Sequence, residues 1–497
     1  MTSLPLPTAS YVTQDPRGSS KRLVNCFSEQ VSGIPWVQLS TKDTNIPPRV
    51  LRRMAGTTSI GAPAGATAPV RGMWEMAGVE YAVIGPTLYS VTLANNVATY
   101  TQIGTGITGN GFVRMTDNGA CLVILVPGTT SAWTYSVGGG FQPLTDAFFT
   151  GYGAIDCWFC DTYIVFLALS GTTFFNDDGR NASGNNQITF TTQACFVREF
   201  GTDPFVGGTV DHREVVFFGR RTSEGYLNAG NVAGSPFNAA PDSFMQIGCH
   251  PNAPYSIAGG IQGQDQSVFW LANDGTIRRR EGQTPQKVSN SGIEQLLAQI
   301  IVAGQVTGCY ALCPIVGGHL LYILTFPNAG HTIAYDCTTQ EWCELESNGY
   351  TIWRPLCYHN GLGLQLVGDS VSANIGFLDV TSFQEFGVDQ VVTIQTQPVY
   401  IEHNRTVHRR LELVITTGNT VVGAPVNGVT LNVSDDSGQT FWNQGDNPTL
   451  GANGATQTRV VWFNLGQSRD RVYNFQITGE TPLFAVNINT EIVPGKW

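Results

Sequence analysis

The sequence is poor in charge and especially poor in lysine. Among its 497 residues, Lys and Arg total 26 and Asp and Glu total 37, and only four of the basic residues are lysines. Charged residues make up 13% of the chain, about half of the roughly 25% typical of soluble proteins. Glycine is abundant, with 57 residues, and aromatic residues reach 10%. This composition disfavours helical bundles, coiled coils and disordered chains and favours short strands joined by tight turns.

The chain also lacks the sequence features of a nucleic-acid-binding surface, a membrane-spanning helix or a secretory signal. Its formal net charge is −11, whereas binding to a phosphate backbone requires a basic surface. The longest apolar runs, at 121–126 and 163–169, are far shorter than the roughly 20 residues of a spanning helix. The first 15 residues have neither the cationic start nor the apolar core of a signal peptide. We therefore expect the eleven cysteines to be free thiols made in a reducing cytoplasm.

An apolar strand followed by an aromatic-rich strand recurs along the middle of the chain. The apolar strands begin near residues 81, 121, 162, 214, 267, 319 and 362, at steps of 40, 41, 52, 53, 52 and 43 residues. Strand repeats of about 40–50 residues are typical of β-propeller blades, and blades in a closed ring leave no long free strand edge. The pattern predicts an all-β propeller of six or seven blades. A two-sheet sandwich with long hairpins is the alternative.

Composition divides the chain into three predicted parts. Residues 1–48 are rich in Pro and Ser with little periodicity, and we expect them to form an extended N-terminal arm. Residues 49–388 contain the repeats and are expected to form the β-propeller. Residues 389–497 carry about six alternating strands, which is the size and rhythm of a C-terminal β-sandwich.

One helix is predicted, around residues 291–303. Ser289 or Ser291 can cap its start. The apolar positions recur at helical spacing and form one stripe, which consists of Ile293, Leu296, Leu297 and Ile300.

Basic residues and short motifs are interpreted as structural. Three arginine groups are expected to make surface salt bridges: Arg49, Arg52 and Arg53; Arg278, Arg279 and Arg280; Arg405, Arg409 and Arg410. Gly104, Gly106 and Gly109 match a dinucleotide fingerprint by letter, but a strand pattern follows where a helix must begin to hold a pyrophosphate. Cys157 and Cys160 form a lone CxxC on a predicted strand, where they face opposite sides, so we expect no metal or redox site there.

Residues 434–441 fit the turn known as an Asp-box. In this turn the Asp436 carboxylate accepts backbone N–H bonds, Gly438 takes the left-handed conformation, and the aromatic ring of Phe441 is expected to pack beneath. Sialidases carry several such turns on their propellers, but one turn in the predicted sandwich indicates a structural role. No other spacing nominates a site. The sequence therefore predicts no enzyme, no catalytic residue, no cofactor and no metal, and its binding residues stay unknown.

The order of several short segments resembles the tail-hub, or packaged-DNA stabilisation, proteins of short-tailed bacteriophages. The similar segments are 50–60, 72–91, 211–230, 276–299, 319–346 and 367–379. Two departures from the family pattern are visible. Ala55 stands where the family usually has a proline, and Asp211–His212 replaces an aromatic residue.

The resemblance implies a structural virion protein made in the host bacterial cytoplasm. Such a hub is a homohexameric ring, or nozzle, beneath the portal and its adaptor ring. It extends the DNA channel, retains the packaged genome and seats the needle, plug or fibre proteins. Genomic DNA passes without sequence-specific binding, and no small-molecule substrate is implied. The alternatives are a propeller glycosidase or sialidase-like depolymerase, which needs paired carboxylates about 5–9 Å apart in a cleft, and a non-enzymatic propeller scaffold.

Overall fold

The computed structural model describes residues 2–12, 20–30, 49–179, 188–190, 195–231, 234–259, 267–402, 404–416, 428–447, 458–479 and 483–495. These residues form an all-β molecule with two α-helices and two short 3₁₀ helices. None of the helices in this part of the chain is long and apolar enough to cross a membrane.

From β7 onward, the strands of the first half follow one another as antiparallel hairpins. The N-terminal strands are β1 (Thr2–Leu4), β2 (Tyr11–Val12), β3 (Ser20–Val24), β4 (Cys26–Gln30), β5 (Arg49–Arg53) and β6 (Gly56–Gly61). Blade 1 contains β7 (Val70–Met76), β8 (Val79–Ile84), β9 (Thr87–Ala94) and β10 (Val97–Thr105). Blade 2 contains β11 (Arg114–Asp117), β12 (Leu122–Leu125), β13 (Ala132–Ser136) and β14 (Gly140–Pro143), and α1 (Ala147–Tyr152) follows it. Blade 3 contains β15 (Asp156–Cys160), β16 (Tyr163–Leu167), β17 (Thr173–Asn176) and β18 (Cys195–Val197).

Three further blades and the first strands of a large sheet complete the ring. Blade 4 contains β19 (Phe205–Asp211), β20 (Glu214–Gly219), β21 (Ser223–Asn228) and β22 (Phe237–Ala239), followed by η1 (Pro241–Ser243) and η2 (Pro254–Ser256). Blade 5 contains β23 (Ala258–Gly259), β24 (Val268–Leu271), β25 (Ile277–Glu281) and β26 (Thr284–Lys287), followed by α2 (Ser291–Val302). The large sheet then begins with β27 (Tyr310–Leu312), β28 (Ile315–Val316), β29 (His319–Phe326), β30 (His331–Asp336) and β31 (Glu341–Glu344). The closing blade contains β32 (Pro355–Gly361), β33 (Leu364–Asp369) and β34 (Ile375–Asp379), and it takes β6 as its fourth strand.

The predicted all-β propeller of six or seven blades is confirmed. Six blades are sheets of their own around the axis, and the strands β27, β29, β30 and β31 occupy the seventh position while continuing into an eleven-stranded sheet. The seven apolar strands recognised in the sequence are the second strands of these units, namely β8, β12, β16, β20, β24, β29 and β33. These strands are buried along most of their length. A strand covered by neighbouring blades on both faces reads as a continuous apolar run.

The ring closes through a strand from the other end of the propeller sequence. β6 pairs antiparallel with β34, with Thr57 opposite Leu378 and Thr58 opposite Phe377. The N–H of Gly56 also donates to the carbonyl of Ser382, at 2.9 Å. The outer edge of the last blade is therefore supplied by the N-terminal side of the chain.

The C-terminal strands form two facing sheets around one core. They are β35 (Gln384–Glu385), β36 (Val388–Asp389), β37 (Val392–Gln395), β38 (Thr406–Thr416), β39 (Gly428–Ser434), β40 (Trp442–Asn447), β41 (Thr458–Phe463), β42 (Gln467–Ser468), β43 (Val472–Thr478) and β44 (Phe484–Pro494). One sheet runs in the order β4-β5-β44-β38-β41, and the other continues from β31 as β3-β37-β43-β39-β40. Side chains of both sheets share one buried cluster with strands β29 to β31. The boundaries 49–388 and 389–497 stay predictions.

The extended arm predicted over residues 1–48 stays a prediction, and its described parts form strands that pair with distant parts of the chain. β3 pairs antiparallel with β37 and contacts β31 in parallel, while β1 pairs with β44. Leu23 and Phe27 lie in the shared core, and Arg22 forms ion pairs with Glu344 and Glu346. Short strands whose partners lie more than 300 residues away leave no local periodicity to recognise. Residues 13–19 and 31–48 lie outside the described residues.

The predicted helix is confirmed as α2, with a different cap. The side chain of Asn290 accepts a hydrogen bond from the N–H of Ile293, so Asn290 rather than either predicted serine caps the helix. Ser289 instead donates to the carboxylate of Glu294. The predicted stripe faces the core: Ile293, Leu297 and Ile300 are buried, and Leu296 is partly buried against the same cluster.

Closure of the ring should depend on the absence of a side chain at Gly376. A Cβ at this position would lie 2.5 Å from Thr57 Cγ2 and 2.9 Å from the carbonyl oxygen of Thr58. Gly376→Ala should therefore lower the free energy of unfolding by about 1–3 kcal/mol, measured by urea denaturation. Gly138→Ala is the matched control, because nothing lies within 4 Å of its added Cβ. Equal stability of the two variants would contradict this account.

Stability should fall in acid because of His408. This histidine is fully buried. Its Nδ1 is hydrogen-bonded to the Tyr473 hydroxyl at 2.6 Å, and its Nε2 is hydrogen-bonded to Ser468 Oγ at 2.9 Å. Burial, aided by the positive charge of Arg471, lowers the pKa of His408 to about 4, against about 6.5 in the unfolded chain. The unfolded state binds more protons between these values, so stability is full above pH 6.5 and falls by about 3 kcal/mol as the pH drops towards 4.

The check is the pH dependence of the unfolding free energy for His408→Gln. The glutamine does not titrate, so we expect a shallower slope between pH 6.5 and 4 than in the parent. His331→Gln, in the partly exposed first position of β30, should keep the parent slope. A parental slope in the His408 variant would disprove the assignment.

Candidate functional site

The axis of the propeller contains a cavity of about 360 Å³. Residues from β7, β11, β15, β19, β23, β27 and β32, the innermost strands, line it. Much of its wall is aromatic: Trp74, Phe112, Trp158, Phe159, Tyr255, Tyr310 and Tyr358. Its volume is in the range of small-molecule pockets. It is the best candidate for a functional site in the described part of the chain.

Glycines let the innermost strands approach their neighbours closely. A Cβ on Gly72 of β7 would lie 2.7 Å from Val113 Cγ2, next to the start of β11. A Cβ on Gly208 of β19 would lie 2.9 Å from Phe217 and 3.1 Å from Trp158 of β15. These contacts are closer than real Cβ atoms tolerate, so the narrow ring requires glycine at both positions.

An arginine–aspartate pair from two blades lies in the cavity wall. Arg114 of β11 and Asp156 of β15 form an ion pair, with Nε 3.0 Å from Oδ2. The guanidinium carbon of Arg114 lies 5.7 Å from the ring centre of Phe112 and 5.3 Å from that of Tyr255, within cation–π range. Burial raises the pKa of Asp156 to about 6, against the opposing effect of Arg114. The arginine is thus held between two rings and a carboxylate.

A second arginine adds positive charge to the same wall. Arg71 is buried and donates to the carbonyls of Gly85, Thr108 and Gly111, at 3.0, 2.7 and 2.6 Å. No ion pair joins it to a carboxylate in the described residues, and burial lowers its pKa. The nearby carboxylate of Asp117 is satisfied by other donors, since it accepts from the Trp74 indole at 2.8 Å and from the Gly119 N–H at 2.6 Å.

The buried thiols in the cavity wall are poor nucleophiles. Burial raises the pKa of the lining thiol Cys357 to about 12 and raises that of Cys157 well above its usual range, so neither supplies a thiolate nucleophile near neutral pH. Within the described ranges, no three His, Cys, Asp or Glu side chains are grouped to hold a metal. The sequence nominated none of the cavity residues for a role, because they come from seven short strands with no common motif.

The glycine and cysteine motifs have the structural settings that were predicted. Gly106 and Gly109 have positive φ angles in the loop after β10, and the strand β11 follows them instead of a helix. Cys157 belongs to the core between blades 2 and 3, and Cys160 to the core between blades 3 and 4. The two thiols therefore face opposite sides of β15, and all eleven cysteines are free.

The Asp-box forms the predicted turn, except for its aromatic residue. Asp436 accepts from the N–H groups of Gln439 and Thr440, both at 2.9 Å, and Gly438 has φ +93°. Burial raises the pKa of Asp436, but hydrogen bonds from the Ser434 and Thr440 side chains, together with these N–H bonds, outweigh it and hold the pKa at about 2. Phe441 does not pack beneath the turn but is exposed. The loop lies on the C-terminal sheets, far along the chain from the cavity strands.

The arginine groups divide between surface and interior. Arg49 pairs with Glu341 and Arg52 with Glu29, as expected of surface residues; so do Arg278 with Asp274, Arg279 with Glu281, Arg409 with Glu491 and Arg410 with Glu412. The surface interpretation is wrong for Arg53 and Arg280, which are both 4% exposed. Arg53 donates to the side chain and the carbonyl of Gln390 and to the carbonyl of Gly479.

Arg280 joins two blades. Its Nη1 lies 2.6 Å from Asp211 Oδ2, and its Nη2 lies 2.6 Å from Glu214 Oε2. The arginine is on β25 of blade 5, whereas the carboxylates flank the β19–β20 turn of blade 4. Other blade junctions use similar buried pairs: His359 with Glu80, Arg114 with Asp156, and Arg198 with Glu224.

Comparisons with known proteins agree with the fold. A family model described as "Bacteriophage P22 Gp10, beta-propeller" matches residues 38–383. A comparison with curated protein sequences finds no match. Among solved structures, a streptogramin B lyase has 11% identity and a TM-score of 0.40, covering 65% of this chain and 97% of its own. A catalytically inactive virginiamycin B lyase from Staphylococcus aureus with quinupristin has 11% identity and a TM-score of 0.41, covering 65% and 98%.

Removing the Arg280 guanidinium should destabilise the junction of blades 4 and 5. Arg280→Met leaves two buried carboxylates without their partner, which costs on the order of 3–5 kcal/mol of unfolding free energy. The measurement is chemical denaturation at pH 7. The control is Arg213→Met, since Arg213 pairs with Asp161 at the surface, and no measurable change is expected there. If Arg280→Met lowers the unfolding free energy by less than 1 kcal/mol, Arg280 does not hold blades 4 and 5 together.

Proposed function

This chain belongs to the phage stabilisation family of bacteriophage P22 Gp10, and we propose that it is the hub of a short-tailed phage tail. Membership makes it a β-propeller tail protein of the virion. In the proposed role, the chain forms a homohexameric ring beneath the portal and its adaptor, extends the DNA channel and retains the packaged genome. It seats needle, plug or fibre proteins at the far end. It is synthesised in the host cytoplasm and carries out no catalysis.

The single observation that carries this proposal is the family match over residues 38–383. That span includes the ring from β6 to β34 and part of the N-terminal strands. The resemblance in motif order along the sequence points to the same family.

The size of the axial cavity supports a DNA path between copies of the chain. A cavity of about 360 Å³ holds a small molecule, whereas the major groove of a duplex alone is about 12 Å wide. A duplex therefore needs a channel surrounded by several subunits. Such a ring uses heterologous contacts, in which one face of a subunit meets a different face of the next. A net charge of −11 suits a wall along which DNA slides without sticking.

Imaging of the assembled particle tests the proposal. Electron microscopy of tails should show six copies of this chain in one ring between the portal adaptor and the distal tail parts. A different copy number, or particles that lack the chain, would refute the hub assignment.

Genome retention is the second readout. Particles made without this chain should lose packaged DNA after filling, and supplying the parent chain or Gly138→Ala should restore retention. Gly376→Ala, which disturbs ring closure, should restore it less well at elevated temperature. Full retention without the chain would contradict the proposed role.

A further inference from the structure

We propose that the axial cavity binds a small organic carboxylate with a flat apolar body, a role independent of the proposed place in the tail. The proposal rests on an arginine in the cavity wall without aligned acceptors, a second arginine in the same wall, and several aromatic side chains around the cavity.

The donors of Arg114 lack aligned acceptors. Its Nε is buried and has no aligned hydrogen-bond partner among the described residues, although it lies 3.0 Å from Asp156 Oδ2 in an ion pair. No described residue accepts a bond from the other guanidinium nitrogens either. A guanidinium has five N–H donors in a fixed fork, and buried donors in proteins are normally satisfied. The side chain is one-third exposed, so a ligand entering the cavity reaches these donors.

Two arginines bring positive charge to a wall that also contains two aspartates. Arg71 contributes a positive charge that only carbonyl oxygens surround. Asp156 pairs with Arg114 through Oδ2, while its Oδ1 already accepts from the Cys157 N–H at 2.8 Å. The carboxylate oxygens of Asp117 already accept hydrogen bonds from Trp74 and Gly119. They are therefore poorly placed to bind a cation.

The aromatic side chains of the cavity wall favour a ligand with a flat apolar body. Phe112 and Tyr255 meet edge to face, with ring centres 4.7 Å apart, and they hold the guanidinium in one plane. Trp74 and Trp158 line the same space and supply aromatic surface against which a flat ring can pack. A planar carboxylate matches the guanidinium fork with two parallel bonds. Phosphate carries more charge, and Asp117 and Asp156 in the same wall repel it more strongly.

Calorimetric titration of the full chain at pH 7 tests the site, with benzoate as the probe and benzamide as its neutral counterpart. We expect saturable binding of one benzoate per chain, with benzamide weaker by about tenfold or more. Inorganic phosphate should not displace benzoate at equal concentration. Equal binding of benzoate and benzamide, displacement by phosphate, or no saturable benzoate binding would overturn the proposal.

Variants locate the binding. Arg114→Gln should reduce benzoate affinity to that of benzamide, and Arg213→Gln, a surface arginine paired with Asp161, should leave it unchanged. The double variant Arg114→Gln with Asp156→Asn removes both charges and avoids an unpaired buried carboxyl if the single variant folds poorly. It should also lose benzoate binding while keeping a cooperative thermal transition. Parental affinity in either Arg114 variant would exclude the cavity as the site.

Discussion

The pairing of β6 with β34 is the contact on which the rest of the molecule depends. Every blade before it is built from local hairpins, but this pair joins residues more than 300 positions apart. The entropic cost of closing a loop grows slowly with its length, by about 0.6 kcal/mol for each doubling, so a distant strand can complete the ring. Once it is complete, each second strand is covered on both faces and the last blade has no open edge.

The same closure ties the C-terminal sheets to the ring. β5 immediately precedes β6 and pairs with β4 and β44, while β35 follows β34 and contacts β6 in parallel. Arg53, at the end of β5, donates to Gln390 and Gly479. A chain segment that enters the ring is therefore held in the C-terminal sheets a few residues earlier. Removing the N-terminal strands would open two cores at once.

The sequence predicts the parts of the fold that are apolar and local. The second strands can be predicted from the sequence because both of their faces are buried, as in β20 and β29. The helix α2 can be predicted from its apolar stripe. The innermost strands cannot be predicted in this way, because one face of each lines a cavity and a strand can be as short as the two residues of β23. The pairing of β3 with β37 also escapes, since its partner lies far along the chain. For the same reason the cavity residues, one short run from each innermost strand, carry no motif.

The scarcity of lysine has a structural counterpart in the blade junctions. Of 26 basic residues four are lysines, which leaves 22 arginines, and several of these lie between blades. A guanidinium can bridge two carboxylates at once, as Arg280 does with Asp211 and Glu214, whereas an ammonium is a single strongly hydrated charge. Arg114 occupies the same kind of junction but lines the cavity, and among the described residues it pairs with one carboxylate rather than two. An arginine at a blade junction therefore has unfilled donors where it lines the cavity. For this reason we place ligand binding at the cavity.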